Sequence, residues 1–182
     1  GFATNRLLYT IDGVRMNTAI FRAGNIQNVI SLDAYSMQET EILFGSGSVM
    51  YGSDAIGGVM QFKTLSPAYS LNGKMLVSGS AASRFSSANL EQTAHADINL
   101  GWKKFAMLSS ITLSNFGDLR MGSHGPDDYL RKVYQQRQDT FDAVVLNDDP
   151  RLQRPTGYNQ INLMQKAAIN LDKLEVVYGF HY

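Results

Sequence analysis

Beyond Pro67 the chain alternates apolar and polar residues in stretch after stretch, a period that restricts this half to β-strands with unlike faces. In residues 94–100, Ala94, Ala96, Ile98 and Leu100 share one side, and His95, Asp97 and Asn99 share the other. In 105–113, Phe105, Met107, Ile111 and Leu113 oppose Ala106, Ser110 and Thr112, with Leu108 blurring the second face. In 161–171, Ile161, Leu163, Ala167, Ile169 and Leu171 oppose Asn162, Lys166 and Asn170; at the end, Val176, Tyr178, Phe180 and Tyr182 oppose Glu175, Gly179 and His181. A weaker first strand is expected at about 74–83.

The connections alternate too. Residues 101–104 and 172–173 read as tight polar turns, whereas 115–157 is rich in Asp, Arg, Gly and Pro and carries no sustained strand pattern. Within it, 127–138 is expected to form a helix with Leu130, Val133 and Tyr134 on one side. A structureless loop of that length argues against a compact soluble domain. Short turns on one side and long loops on the other suit an outer-membrane barrel, and Trp102, Phe105, Tyr158, Tyr178 and Tyr182 fall near expected strand ends, where an aromatic girdle would lie. A soluble sandwich with one packed and one solvated face yields the same alternation and stays open at this point.

Composition narrows the classes. Acidic and basic residues balance to a formal net charge of zero, which removes the electrostatic footprint of a nucleic-acid partner. The absence of cysteine excludes disulfides, thiolate metal sites and a cysteine nucleophile. No apolar run reaches the length of a membrane helix, which leaves barrel strands untouched. Residues 1–6 lack the charged start and apolar core of a secretory signal, so such a signal is expected to have been removed or to lie upstream. Up to Pro67 the pattern is a small α+β unit: strands at 7–11, 41–44 and 59–62, the first entering a turn at Asp12-Gly13, and a Gly-Ser segment at 45–58 with one helical turn at 48–51.

Two ordered segments, Ile11-Asp12-Gly13-Val14-Arg15-Met16-Asn17 and Gly45-Ser46-Gly47-Ser48-Val49-Met50-Tyr51-Gly52-Ser53-Asp54-Ala55-Ile56-Gly57-Gly58-Val59, together with Leu32-Asp33 and Glu39-Thr40-Glu41-Ile42-Leu43 between them, resemble the plug of TonB-dependent outer-membrane receptors. The resemblance covers about residues 6–64 and is nearest to Bacteroidetes receptors of the cobalamin- and haem-uptake type. It implies an α+β plug fragment, residues 1–67, followed by antiparallel transmembrane β-barrel strands, residues 68–182. These would be the first five or so strands of a plugged barrel of about 22, with 115–157 as a long extracellular loop. An open sheet with bare edges and a lipid-facing surface cannot be the working unit alone. The energy-coupling TonB box is expected before Gly1, and most of the barrel after Tyr182.

The resemblance also implies roles. Asp12, Gly13, Tyr51, Gly52, Asp54, Gly57 and Gly58 belong to the plug motif. Arg15 matches the first of the plug arginines that pair with barrel carboxylates, whereas the second position, usually in an Arg-Gly-Pro step, reads Phe44-Gly45-Ser46. The apical plug loop that meets ligand corresponds to 18–28, with Phe21 for stacking and Arg22, Asn25, Gln27 and Asn28 for hydrogen bonds; the alternative is that this loop only fills space beneath the outer loops. The expected function is TonB-dependent import of a scarce metal chelate (siderophore, haem or cobalamin) across the outer membrane of a Gram-negative bacterium. The expected partners are TonB with its inner-membrane energising complex, the ligand, outer-membrane lipid and a surface lipoprotein.

Neither catalysis nor a resident cofactor is expected. Gly45-Ser46-Gly47 lacks both the third glycine of a dinucleotide fingerprint and the Lys-Ser/Thr of a P-loop. His95, His124 and His181 stand far apart without metal-ligand spacing, and hydrogen-bonded roles are expected for them. Asp127-Asp128 and Asp148-Asp149 read as solvated loop. Two other classes remain: a docking platform in a surface complex, and a soluble carbohydrate-binding or hydrolytic β-domain.

Overall fold

The computed structural model describes residues 7–16, 32–45, 51, 55 and 57–182. The N-terminal strands β1 (Leu7–Ile11), β2 (Val14–Arg15), β3 (Met37–Phe44) and β4 (Gly58–Thr64) form one sheet in the order β2-β1-β4-β3. β1 runs parallel to β4, and β3 antiparallel to it. β1 and β2 join through two residues, Asp12 at φ 48° and Gly13 at φ 80°. Both central positions need positive φ in a tight hairpin of this kind, which is why Asp-Gly stands there. Gly58 has φ 147°, and a Cβ on it would meet the Leu43 carbonyl oxygen at 2.8 Å. A small apolar core, Leu8, Ala55 and Val59 with Leu43 and Tyr51 packed against it, holds this sheet. Asp33 caps a 3-10 turn at Ala34–Ser36 by accepting from the Tyr35 amide at 3.0 Å. The helical turn expected at 48–51 lies outside the described residues save for Tyr51.

Five long strands form a second sheet: β5 (Leu76–Ser86), β6 (Glu91–Gly101), β7 (Phe105–Phe116), β12 (Tyr158–Asn170) and β13 (Glu175–His181), in the order β13-β12-β7-β6-β5. The strands expected at 94–100 and 105–113 fall within β6 and β7, which run further than their alternation showed, and the one expected at 161–171 corresponds to β12, which starts three residues earlier and ends one residue sooner. The turns at 102–104 and 171–174 close with hydrogen bonds from the Trp102 amide to Phe105 and from the Leu171 amide to Leu174.

The polarity of this sheet is inside out. The sheltered side chains include Thr93, His95, Asn99, Ser110, Thr112 and Lys166, with Thr112 only 2% exposed, while Ile98, Ile111, Leu113, Ile161, Leu163 and Ile169 point outward, Ile111 at 41%. A soluble sandwich buries the apolar side of its alternation. This sheet exposes it and shelters the polar side, as a membrane barrel wall does. The soluble reading fails on that point. Leu108, the residue that blurred the face of β7, is sheltered beside Ala106, so it belongs to the inward row.

The excursion between β7 and β12 differs from expectation. It holds a short ribbon of β8 (Leu119–Arg120) with β11 (Leu152–Gln153), and a hairpin of β9 (Val133–Gln138) with β10 (Phe141–Leu146). The helix expected at 127–138 is limited to a 3-10 turn at Asp127–Tyr129, and the rest is strand. Gln and Arg favour helix, but Val133 and Tyr134 favour strand, and pairing of Val133 with Leu146 through Gln138 with Phe141, closed by Asp139 at φ 39°, outweighs the local helical preference. Asp118 clasps the base of the excursion: its Oδ1 accepts from the amides of Thr156 at 2.7 Å and Gly157 at 2.9 Å. These amides, outweighing partial burial and aided by Arg154, hold its carboxyl below the usual carboxylate range.

The chain divides into two compact units by its contacts. One comprises Gly1–Val77, Asn99–Leu108 and Met164–Phe180; the other comprises Ser78–Ile98, Ser109–Leu163 and His181–Tyr182.

Ile111→Arg places a charge in the middle of the outward row of β7. A lipid-facing site is expected to lose about 2–4 kcal/mol of stability, and a solvated one close to nothing. Denaturant unfolding of the intact protein, folded in detergent or bilayer, reads the difference.

Candidate functional site

The Asp12-Gly13 hairpin is where the N-terminal sheet meets the long strands, within one compact unit. The turn aims the Asp12 carboxylate away from its own backbone. Its Oδ1 accepts from the Thr64 amide at 2.9 Å, and its Oδ2 accepts from the Thr64 hydroxyl at 2.7 Å and from the Lys166 ammonium at 2.8 Å. Thr64 ends β4, whose Phe62 carbonyl also accepts from the Asp12 amide at 2.9 Å, so the hairpin is fixed to its own sheet before it reaches the wall. Lys166 lies on the sheltered row of β12 between Met164 and Ala168, and its side chain is only 6% exposed. A buried ammonium requires a paired anion, and among the described residues Asp12 is the carboxylate that forms an ion pair with it.

Partial burial pushes the Asp12 carboxyl up, but hydrogen bonds from Lys166 and from the hydroxyl and amide of Thr64 outweigh it and hold the group below its usual value. A carboxyl depressed on folding contributes stability that is complete above its unfolded value and is lost as pH falls through the lower folded one.

The segment after β4 is laced to the same strands. The Ala68 amide donates to Asn99 Oδ1 at 2.8 Å, Asn99 Nδ2 donates back to the Ala68 carbonyl at 3.1 Å, and the Tyr69 hydroxyl donates to Glu175 at 3.0 Å.

The second unit carries a polar row. His95 Nδ1 lies 2.7 Å from the Thr112 hydroxyl, His95 Nε2 lies 3.4 Å from Asp97, and Ser80 donates to Asp97. Thr93 hydrogen-bonds Glu91 at 3.0 Å and Ser114 at 3.1 Å, and Arg84 approaches Glu91 at 3.5 Å. His124, in the excursion, is exposed and lies 2.9 Å from Ser123 Oγ. Among the described residues no cluster of three or more His, Asp or Glu is arranged to hold a metal.

The expected site residues are distributed unevenly. Asp12, Gly13, Tyr51, Gly57 and Gly58 are described; Tyr51 donates to Gln61 at 3.3 Å. Gly52 and Asp54 lie outside the described residues, as do Phe21, Arg22, Asn25, Gln27 and Asn28. Arg15 is exposed on β2, at the edge of the N-terminal sheet, and Asp12, three residues earlier in the same hairpin, forms an ion pair with Lys166 of β12. Sequence reasoning missed Lys166 and Thr64. The signal for Lys166 was present: a cation on an inward row otherwise made of uncharged side chains, Asn162, Met164 and Ala168 among them.

A β-domain tied by a buried ion pair to the polar face of an inside-out sheet defines a plug held against a stretch of barrel wall. Residues 1–59 match the TonB-dependent Receptor Plug Domain family. The chain is similar to the Vitamin B12 transporter BtuB of Vibrio vulnificus strain CMCP6, with 36% identity over 107 residues, covering 58% of this chain and 16% of that protein. It is also similar to the Heme/hemopexin utilization protein C of Haemophilus influenzae strain 86-028NP, with 38% identity over 64 residues, covering 35% of this chain and 8% of that protein. The chain thus spans a small part of the relatives it matches. Residues 1–59 are a plug domain of the TonB-dependent receptor family, and both relatives support reading the chain as part of such a receptor.

Acidification is expected to release the hairpin from β12 only below pH 3.8, the usual carboxylate value. Asp12→Asn removes that acid limb while sparing the turn. Protease accessibility of the hairpin, followed against pH in the intact receptor, checks this.

Proposed function

We propose that the receptor of which this chain is part imports a scarce metal chelate across the outer membrane, drawing energy through TonB from an inner-membrane complex. The observation that carries the reading is the plug hairpin held to a polar, lumen-type strand face by Asp12 and Lys166. Such a tie suits a domain that must stay seated at rest and loosen without unfolding the wall. Residues 1–67 act as plug and 68–182 as the first strands of a closed barrel of about 22, with 115–157 facing the exterior and the outward apolar rows meeting lipid. Arg15 assists in seating the plug, and Phe21, Arg22, Asn25, Gln27 and Asn28 form the apical contact with ligand. The similarity to a vitamin B12 transporter and a haem/hemopexin utilization protein supports cobalamin and haem as the leading chelates, with ferric siderophores as the next class. The work is binding and gating, with no bond chemistry.

The test is uptake by cells in which the intact receptor is the sole outer-membrane importer. Labelled cobalamin, haem or a ferric siderophore is expected to accumulate, and to stop accumulating in cells lacking TonB. Accumulation of none of the three, or equal accumulation without TonB, overturns the reading.

A further inference from the structure

We infer that Lys166 is an anion station on the transport path, occupied at rest by the Asp12 carboxylate and, once the plug moves, by the anionic group of the passing ligand. This inference rests on the transport reading above. Lys166 occupies the inward row of β12, sheltered with Met164 and Ala168 two residues to either side, and its buried ammonium depends on an anion. The carboxylate that satisfies it belongs to the mobile partner: Asp12 is carried by the plug hairpin, and its other hydrogen bonds go to Thr64 of the plug's own sheet.

The two halves of the pair therefore have unequal fates when the hairpin leaves. Asp12 keeps the amide and hydroxyl of Thr64 and is already partly open to water, with its side chain 32% exposed. Among the described residues Lys166 has no other anionic partner, and it faces the opened space as a bare cation. A carboxylate or phosphate in transit restores what it lost, so the station favours chelates that carry an anionic group. A plain structural tie makes no such distinction, since loss of either partner breaks it equally.

The contrast between Asp12→Asn and Lys166→Met isolates the station, because both break the tie but only the second removes the cation. The intact receptor is reconstituted in a planar bilayer under a potassium chloride gradient, with the plug loosened by urea on one side. In the opened state the parent, Asp12→Asn and Lys166→Arg are expected to share one chloride-over-potassium permeability ratio. Lys166→Met is expected to lower it about tenfold, since a unit charge within about 6 Å in water shifts each ion about threefold and shifts chloride and potassium in opposite directions. Barrel integrity is read from the unitary conductance, which stays unchanged in all four. Equal ratios in the parent and Lys166→Met, or an equal fall in Asp12→Asn and Lys166→Met, overturns the station. The readout uses no ligand, so it stands apart from the uptake test: failure of every chelate to accumulate would sink the transport reading while leaving the ion selectivity measured.

Discussion

The ammonium of Lys166 cannot remain sheltered without an anion, and that requirement joins the two sheets of this chain at a defined place. Desolvating a lysine costs several kcal/mol unless a partner of good geometry compensates it. The compensation here comes from a carboxylate 154 positions earlier in the chain, presented by a two-residue turn whose backbone only a few residue types adopt. Asp12 is held from two sides, by Thr64 of its own sheet and by Lys166 of the wall. The hairpin is therefore a rigid peg and not a loose contact.

The wall supplies the other half of the logic. A strand that meets lipid outward must satisfy its backbone through its neighbours and confine polar side chains to the inner row. β6, β7 and β12 show that division of faces, and the sheltered row they create is a hydrogen-bonded surface that includes hydroxyl, amide and imidazole groups. A plug seated against such a surface can exchange its contacts for water at modest cost, because polar groups lose little when water replaces a partner. The sheltered charge of Lys166 is different, because its counter-ion belongs to the plug, and it gives the interface a contact whose loss carries a penalty.

Much of this was legible in the sequence because β-strands leave a period of two wherever their faces differ. Ala94 through Leu100 and Ile161 through Leu171 revealed which side chains face which way, although not whether the polar side was the sheltered one; burial decided that. Asp12-Gly13 announced its hairpin through turn chemistry. The excursion was not legible, since Val133 to Gln138 has no clear period and becomes a strand only by pairing with Phe141 to Leu146. Nor was the partner of Lys166, because a salt bridge across more than a hundred residues leaves no local trace. The hairpin that carries Arg15 also carries Asp12, three positions earlier, and it is Asp12 that pairs with Lys166.

Zero-length coupling of carboxylate to amine measures the central contact directly. The intact receptor in membranes is treated with a water-soluble carbodiimide and digested, and cross-linked peptides are identified by mass. The account predicts an isopeptide bond between Asp12 and Lys166, which lie 2.8 Å apart, alongside one between the exposed pair Lys104 and Asp172 at 3.1 Å as the positive control. Coupling of Lys104 to Asp172 with none between Asp12 and Lys166, or coupling of Lys166 to a different carboxylate, would contradict it.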